Sequence, residues 1–172
     1  MKIYDCLTFN DENEILEVRL NELSKYVDYF IIIESGETHQ GTSKKTKIRN
    51  DLIEKFKSKV RYYFINNFDK KFGPWQRESY QRDYIKKGLF DAKESDIIIV
   101  SDVDEIPNLK NFNFEKVNNF VFAFQQIHTM YKFNLIRERD WVGSKLCSFK
   151  KLKSPQWLRN LKTHKKYSKF RI

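Results

Sequence analysis

Asp96-Ile97-Ile98-Ile99-Val100-Ser101-Asp102-Val103-Asp104-Glu105-Ile106-Pro107 is the stretch on which the reading of this chain turns. Four consecutive β-branched residues predict a short strand covered on both faces, as in a parallel sheet. That strand runs straight into three acids and a proline. In open α/β sheets, ligands bind outside the carboxyl ends of the strands, so Asp102, Asp104 and Glu105 are expected at a binding edge. Side chains alternate along extended backbone, so the Asp-x-Asp spacing puts two carboxylates on one side. Two hard oxygen donors at one point suit Mg²⁺ or Mn²⁺. Such ions take one or two carboxylates and complete their shell with water and substrate phosphates. The competing reading is three solvated turn acids before a proline.

Working towards the N-terminus, strand and helix patterns alternate. Residues 2–8 have strand character, and Asn10 or Asp11 is placed to cap a helix with Ile15, Leu16, Leu20 and Leu23 on one face. Residues 28–34 (DYFIIIE) form a second apolar run, ending in Glu34-Ser35 at the same expected edge. A polar loop with Gly36 and Gly41 follows, then a short helix over 50–57 and a strand over 60–65. Gly73-Pro74 breaks the chain, and residues 75–94 predict one long amphipathic helix. This alternation argues an α/β fold with a mostly parallel, doubly wound sheet flanked by helices.

Beyond Pro107 the pattern changes to strands and basic loops. Strands are expected over 120–126, 130–136 and 146–150, and Pro155 suits the start of a short helix. Charge divides at the same place. Residues 1–107 hold 18 Lys+Arg against 20 Asp+Glu, whereas residues 108–172 hold 15 against 3, so the overall +10 lies in the C-terminal part. Such asymmetry suits an anionic partner: a phosphate, a membrane surface or a nucleic acid. No clear boundary separates the parts, so residues 1–172 are expected to form one domain. Residues 1–107 are expected to make its near-neutral α/β half and 108–172 a basic, strand-rich part.

Composition removes several classes. The chain has 40% hydrophobic and 16% aromatic residues with 5 Gly and 3 Pro, which is neither disordered nor collagen-like. No apolar run approaches the roughly 20 residues of a membrane span. The start has no signal-peptide pattern. Cys6 and Cys147 make no disulfide framework, so a reducing, cytoplasmic compartment is expected, with room for peripheral contact with a membrane. There is no G-x-x-x-x-G-K, no G-x-G-x-x-G and no G-x-S-x-G. P-loop, dinucleotide-binding and serine-hydrolase chemistries therefore lack their motifs. His39, His128 and His164 share no metal-ligand spacing.

Other residues join the strand-end acids as candidates. Trp75-Gln76-Arg77-Glu78-Ser79-Tyr80-Gln81-Arg82 is a polar and aromatic cluster at a helix start, and Arg77 and Arg82 are shaped for phosphate oxygens. Glu34 or Ser35 could hydrogen-bond a ribose or base.

Several segments together resemble a known family: residues 1–10 (MKIYDCLTFN), 20–35 (LNELSKYVDYFIIIES), 75–82 (WQRESYQR) and 97–107 (IIIVSDVDEIP). Phe122-Ala123-Phe124 and Trp141-Val142-Gly143 also fall where that family has similar patterns. The match is collinear from residue 1 to about 150 and is to glycosyltransferase family 17, which includes the β-1,4-mannosyl-glycoprotein 4-β-N-acetylglucosaminyltransferases. The resemblance implies a GT-A-like fold, a UDP-sugar donor, with UDP-GlcNAc in the animal enzymes, a glycan acceptor and inverting transfer to a hydroxyl. It makes Asp104 the metal ligand and Asp102 a ligand of the ribose or metal, with Glu105, Arg77 and Glu34 flanking the donor. Inverting transfer needs a base. Beyond Glu105 the remaining acids are Glu115, Glu138 and Asp140, and Asp140, beside Trp141, is the chosen one. The chain is short for the family, whose members continue into a Gly-Trp-His segment and further helices. The rival class is a nucleic-acid binder or metal-dependent nuclease, supported by the basic segment but by no recognised motif. An inactive sugar-nucleotide-binding relative is the third.

Overall fold

A computed structural model of the chain describes residues 1–44, 47–130, 132–137 and 141–163. Its centre is a six-stranded sheet. The first strand, β1 (Ile3–Phe9), is followed by helix α1 (Asn13–Leu23) and strand β2 (Tyr29–Ser35). Helix α2 (Asn50–Lys55) and strand β3 (Val60–Ile65) come next, then helix α3 (Pro74–Asp83) and strand β4 (Ile97–Asp102). The basic part supplies β5 (Phe122–Gln126), a short pair β6 (Thr129–Met130) and β7 (Lys132–Ile136), β8 (Trp141–Ser148) and helix α4 (Pro155–Asn160).

The strand order is β3-β2-β1-β4-β8-β5. The first three pairings are parallel and the last two antiparallel, so the sheet is mixed. The expectation of a mostly parallel sheet holds for the first four strands. It fails in the basic part because β8 returns alongside β4 in the opposite direction, and β5 pairs antiparallel with β8 in turn.

The apolar runs are continuous because both faces of the sheet are covered, and period-two alternation then sorts them. Leu7, Phe30, Ile32, Ile97, Ile99 and Leu146 pack on one side with Leu16, Leu20 and Leu23 of α1. Tyr4, Cys6, Ile31, Ile33, Ile98, Val100 and Cys147 pack on the other with Ile85, Leu89 and Leu158. Gly88 lies in that second layer, where an added Cβ would meet Ile31 Cγ2 at 2.4 Å, so the close approach requires glycine.

Other expectations are corrected in detail. The helix expected over 75–94 is α-helical only to Asp83 and continues as a 3₁₀ helix from Tyr84 to Leu89. Neither Asn10 nor Asp11 caps α1: the cap is Glu12, which makes no side-chain capping bond. Its carboxylate instead accepts from the Asn10 and Asp11 amides, at 3.0 and 2.9 Å. The strand expected over 130–136 is the β6–β7 pair, and that expected over 146–150 is the longer β8.

Because β2 and β3 build outward on one side of β1 and β4 on the other, strand order reverses beside β1. Thr8 at the end of β1 stands in register with Asp102 at the end of β4. A cleft opens there, as expected of a topological switch point.

Candidate active site

The turn after β4 is held from beneath by Arg19 of α1, which is fully buried. Its Nε and Nη2 donate to the two carboxylate oxygens of Asp5 at 2.7 and 2.6 Å. Nη2 also donates to the Ser101 hydroxyl at 2.5 Å. Nη1 reaches the carbonyls of Asp102, Val103 and Glu105 at 3.1, 3.2 and 3.0 Å. One guanidinium thus joins the middle of β1 to the backbone of the acidic turn. Arg suits this place because its five donors sit in a rigid fork.

Above the turn, Asp102 lies between two arginines. Arg82 of α3 donates to Oδ1 at 2.9 Å, and Arg159 of α4 donates to Oδ2 at 2.7 Å. Burial works to raise the Asp102 pKa, but the charges of Arg159 and Arg82 outweigh it and hold the carboxyl below its ordinary value. Arg82 is itself fixed by Glu78 at 2.9 Å and Gln156 at 2.6 Å.

Glu105 turns inward and braces the turn. Its Oε2 accepts from the Asp102 amide at 3.0 Å, while Oε1 accepts from Arg159 at 2.8 Å and the Trp141 indole at 2.6 Å. Gly143 of β8 makes room for it, since a Cβ there would sit 2.5 Å from the Glu105 carboxyl carbon. Lys145, two residues on, donates to the carbonyls of Arg159 and Leu161 at the end of α4. Burial, and then the charge of Arg159, lowers the Lys145 pKa to about 8.

Asp104 differs from its neighbours. It is exposed, and among the described residues its carboxylate has no hydrogen bond or ion pair. It lines the cleft, of about 420 Å³, together with Thr8, Asn10, His39, Arg82 and Asp102. Among the described residues the site therefore offers one unengaged carboxylate beside a compensated one, with the Arg82 guanidinium in the cleft wall and that of Arg159 on the other oxygen of Asp102.

The family model for glycosyltransferase family 17 matches residues 1–159. The chain belongs to glycosyltransferase family 17. It is 28% identical over 145 residues to the β-1,4-mannosyl-glycoprotein 4-β-N-acetylglucosaminyltransferases of Rattus norvegicus and Homo sapiens. The alignment covers 77% of this chain and 27% of each relative, so the chain spans about a quarter of their length.

Of the residues expected at the site of this family 17 chain, Asp102, Asp104, Glu105 and Arg82 come together. Arg77 and Glu34 do not line the cleft. Arg77 donates to the His39 carbonyl at 3.1 Å and so holds a neighbouring loop. Glu34 is fully buried, accepting from the Tyr62 hydroxyl at 2.7 Å and the Ile48 amide at 3.2 Å, with Lys44 at 3.6 Å. Asp140 and Glu138 lie outside the described residues. Sequence reasoning missed Arg19, Asp5, Arg159 and His39. Arg19 did leave a signal: it falls within the apolar stripe of Leu16, Leu20 and Leu23, where a lone charge needs a buried partner. Asp5 sits likewise inside an apolar strand. Arg159 left none among so many basic residues.

Proposed function

We propose that this protein is a metal-dependent, inverting glycosyltransferase with a GT-A-like arrangement. It moves a sugar, GlcNAc by analogy with the relatives named above, from a UDP donor to a glycan hydroxyl. The observation that carries this reading is the unengaged Asp104 carboxylate at the switch-point cleft, next to Asp102 and its two arginines. Family membership supports the reaction class.

The residues fit a divalent cation of the Mn²⁺ or Mg²⁺ kind in a limited way. Among the described residues no three His, Cys, Asp or Glu side chains form a metal-holding group. Both Asp102 oxygens already accept from arginine. Asp104 would therefore be the principal protein ligand, with water and the diphosphate filling the shell, as is common for these ions. The bound ion would neutralise charge developing on the leaving diphosphate.

This chain's own groups do the rest. Arg82, which lines the cleft, and Arg159, on the other oxygen of Asp102, would donate to the diphosphate oxygens. Glu105, through Arg159 and Trp141, orients the acceptor side, and the half-exposed Trp141 ring offers an apolar face to a sugar. Asp140, next to Trp141 in the sequence, is the proposed base that takes the acceptor hydroxyl proton. Titration calorimetry of UDP and UDP-GlcNAc, with Mn²⁺ and with chelator, tests the donor assignment. Cation-dependent binding lost in Asp104→Ala supports it, and equal binding by that variant overturns it. Asp140→Asn should lower turnover and leave donor binding in place.

A further inference from the structure

His39 stands in the loop after β2 and lines the same cleft as Asp104. Its Nε2 lies 2.8 Å from Gln81 Oε1. The tautomer follows from the other end of Gln81. That amide nitrogen faces two backbone carbonyls, Phe9 O at 3.3 Å and Ile33 O at 3.0 Å, at the ends of β1 and β2. Turning the amide over would set an oxygen against two oxygens, so the NH₂ group belongs where it is. Oε1 must then accept, and Nε2 of His39 must carry the hydrogen. In the neutral ring this leaves Nδ1 as a lone-pair acceptor. Among the described residues it has no partner.

The loop presents His39 rigidly. Thr38 and Thr42 close a turn, with the Thr38 amide donating to the Thr42 carbonyl at 2.8 Å and the Gly41 amide to the Thr38 carbonyl at 2.9 Å. Gly41 has φ of 86°. A Cβ there would also stand 2.8 Å from Arg77 Nη1. Arg77 in turn holds the His39 carbonyl. Backbone and ring are thus fixed by the two α3 residues Arg77 and Gln81.

Position along the sheet edge suggests what the acceptor is for. The order β2-β1-β4-β8 sets the His39 loop on one side of the acidic turn and Trp141 on the other, where Arg159 bonds to Glu105 and to the Gly143 carbonyl. With the diphosphate at Asp104 and Arg82, the Trp141 flank suits the transferred sugar and the acceptor. The His39 flank remains for the nucleoside. Of the cleft carboxylates, Glu78 and Asp102 are engaged by arginine and Glu12 by the Asn10 and Asp11 amides; with Asp104 on the diphosphate, His39 Nδ1 is the acceptor offered on this flank.

We propose that His39 is a donor-recognition residue whose Nδ1, fixed by Gln81, accepts a hydrogen bond from an N–H or O–H group of the uridine moiety. This rests on the UDP-donor reading of the site. The shared chemistry is a hydrogen-bond donor on the nucleoside, either the imide N–H or a ribose hydroxyl.

The test is titration calorimetry with UDP, N3-methyl-UDP, 2′-deoxy-UDP and 3′-deoxy-UDP in the presence of Mn²⁺. His39→Gln keeps an amide near the Nε2 position but removes the Nδ1 acceptor, whereas His39→Asn places an amide near Nδ1. Losing one such bond should weaken UDP binding by roughly tenfold in His39→Gln, and less in His39→Asn. One analogue should bind the wild type weakly by a similar factor, and His39→Gln should no longer distinguish it from UDP. Wild-type affinity in His39→Gln, or a loss shared by all analogues with discrimination intact, overturns the inference while leaving the donor reading standing. So does a wild type that distinguishes none of the analogues. A wild type that binds no UDP overturns the donor reading, and the inference with it.

Discussion

Arg19 and Asp5 form a fully buried bidentate pair, at 2.7 and 2.6 Å, directly beneath the acidic turn. The pair is more than a stabilising contact. Asp5 neutralises and orients the guanidinium, which gives its remaining donors to Ser101 and to three carbonyls of residues 102–105. The backbone that carries Asp102 and Asp104 is thereby tied to the central strand of the sheet.

Arg19→Met should destabilise the fold by about 3–5 kcal/mol in urea unfolding, because Asp5 is left buried and unpaired. A double variant, Asp5→Leu with Arg19→Leu, should recover much of that loss, since buried pairs replaced by apolar residues are often near neutral. UDP affinity should stay low in the double variant, because the turn carbonyls still lack their donor. Recovery of both stability and affinity would show that the pair does not position the turn.

Asp104 and Asp102 should separate in their effect on stability. Asp104 is exposed and without partners among the described residues, so Asp104→Ala should change unfolding free energy by no more than about 0.5 kcal/mol. Asp102→Ala strips a partner from Arg82 and Arg159, whose side chains are 5% and 16% exposed. It should cost about 1–3 kcal/mol. Thermal or urea unfolding of both variants checks the order.

Lys145 should leave a signature in alkaline stability. Its pKa falls from 10.5 to about 8 in the folded chain. Between those values the unfolded chain binds the extra proton, so stability contributed by this group rises with pH from about 8 to 10.5. Below about 8 the burial penalty on its charge is fully present. Lys145→Met should remove that rise, read as the difference between wild-type and variant urea midpoints across the window.

Asp102 also has a lowered pKa, so the stability it contributes too rises with pH, but in the acid range and because the fold favours its charged form. Burial opposes its ionisation, yet Arg159 and Arg82 lower its pKa from 3.8, so its contribution is present above that value and lost on acidification below it. Asp102→Asn should flatten acid unfolding below pH 3.8, measured by circular dichroism against wild type.

Gly143→Ala should disturb the site from behind. The new Cβ would meet the Glu105 carboxyl group at 2.5 Å and Gln126 Oε1 at 2.6 Å. Glu105 would have to shift, loosening Arg159 and Trp141 together. Small-to-large changes of this kind cost about 1–3 kcal/mol. Intrinsic Trp fluorescence should change with the Glu105–indole bond, and an unaltered spectrum would count against the Glu105–Trp141 coupling.

The sequence by itself determined the α/β class, the parallel strands β1 to β4 and the place of Asp102, Asp104 and Glu105. These rest on local signals. A run such as Ile97-Ile98-Ile99-Val100 must be covered on both faces, and whatever follows it emerges at the sheet edge. Tertiary structure decided what each acid does. Asp102 is compensated by arginines 20 and 57 residues away, Glu105 turns inward behind Gly143, and Asp104 alone of the three stays unengaged among the described residues. It also reversed β8, drew Glu34 into the interior and set His39 beside Gln81. The physical reason is that a side chain's charge state and hydrogen-bond partners depend on groups distant in sequence. Periodicity reports which face a residue occupies, and only packing reports what waits for it there.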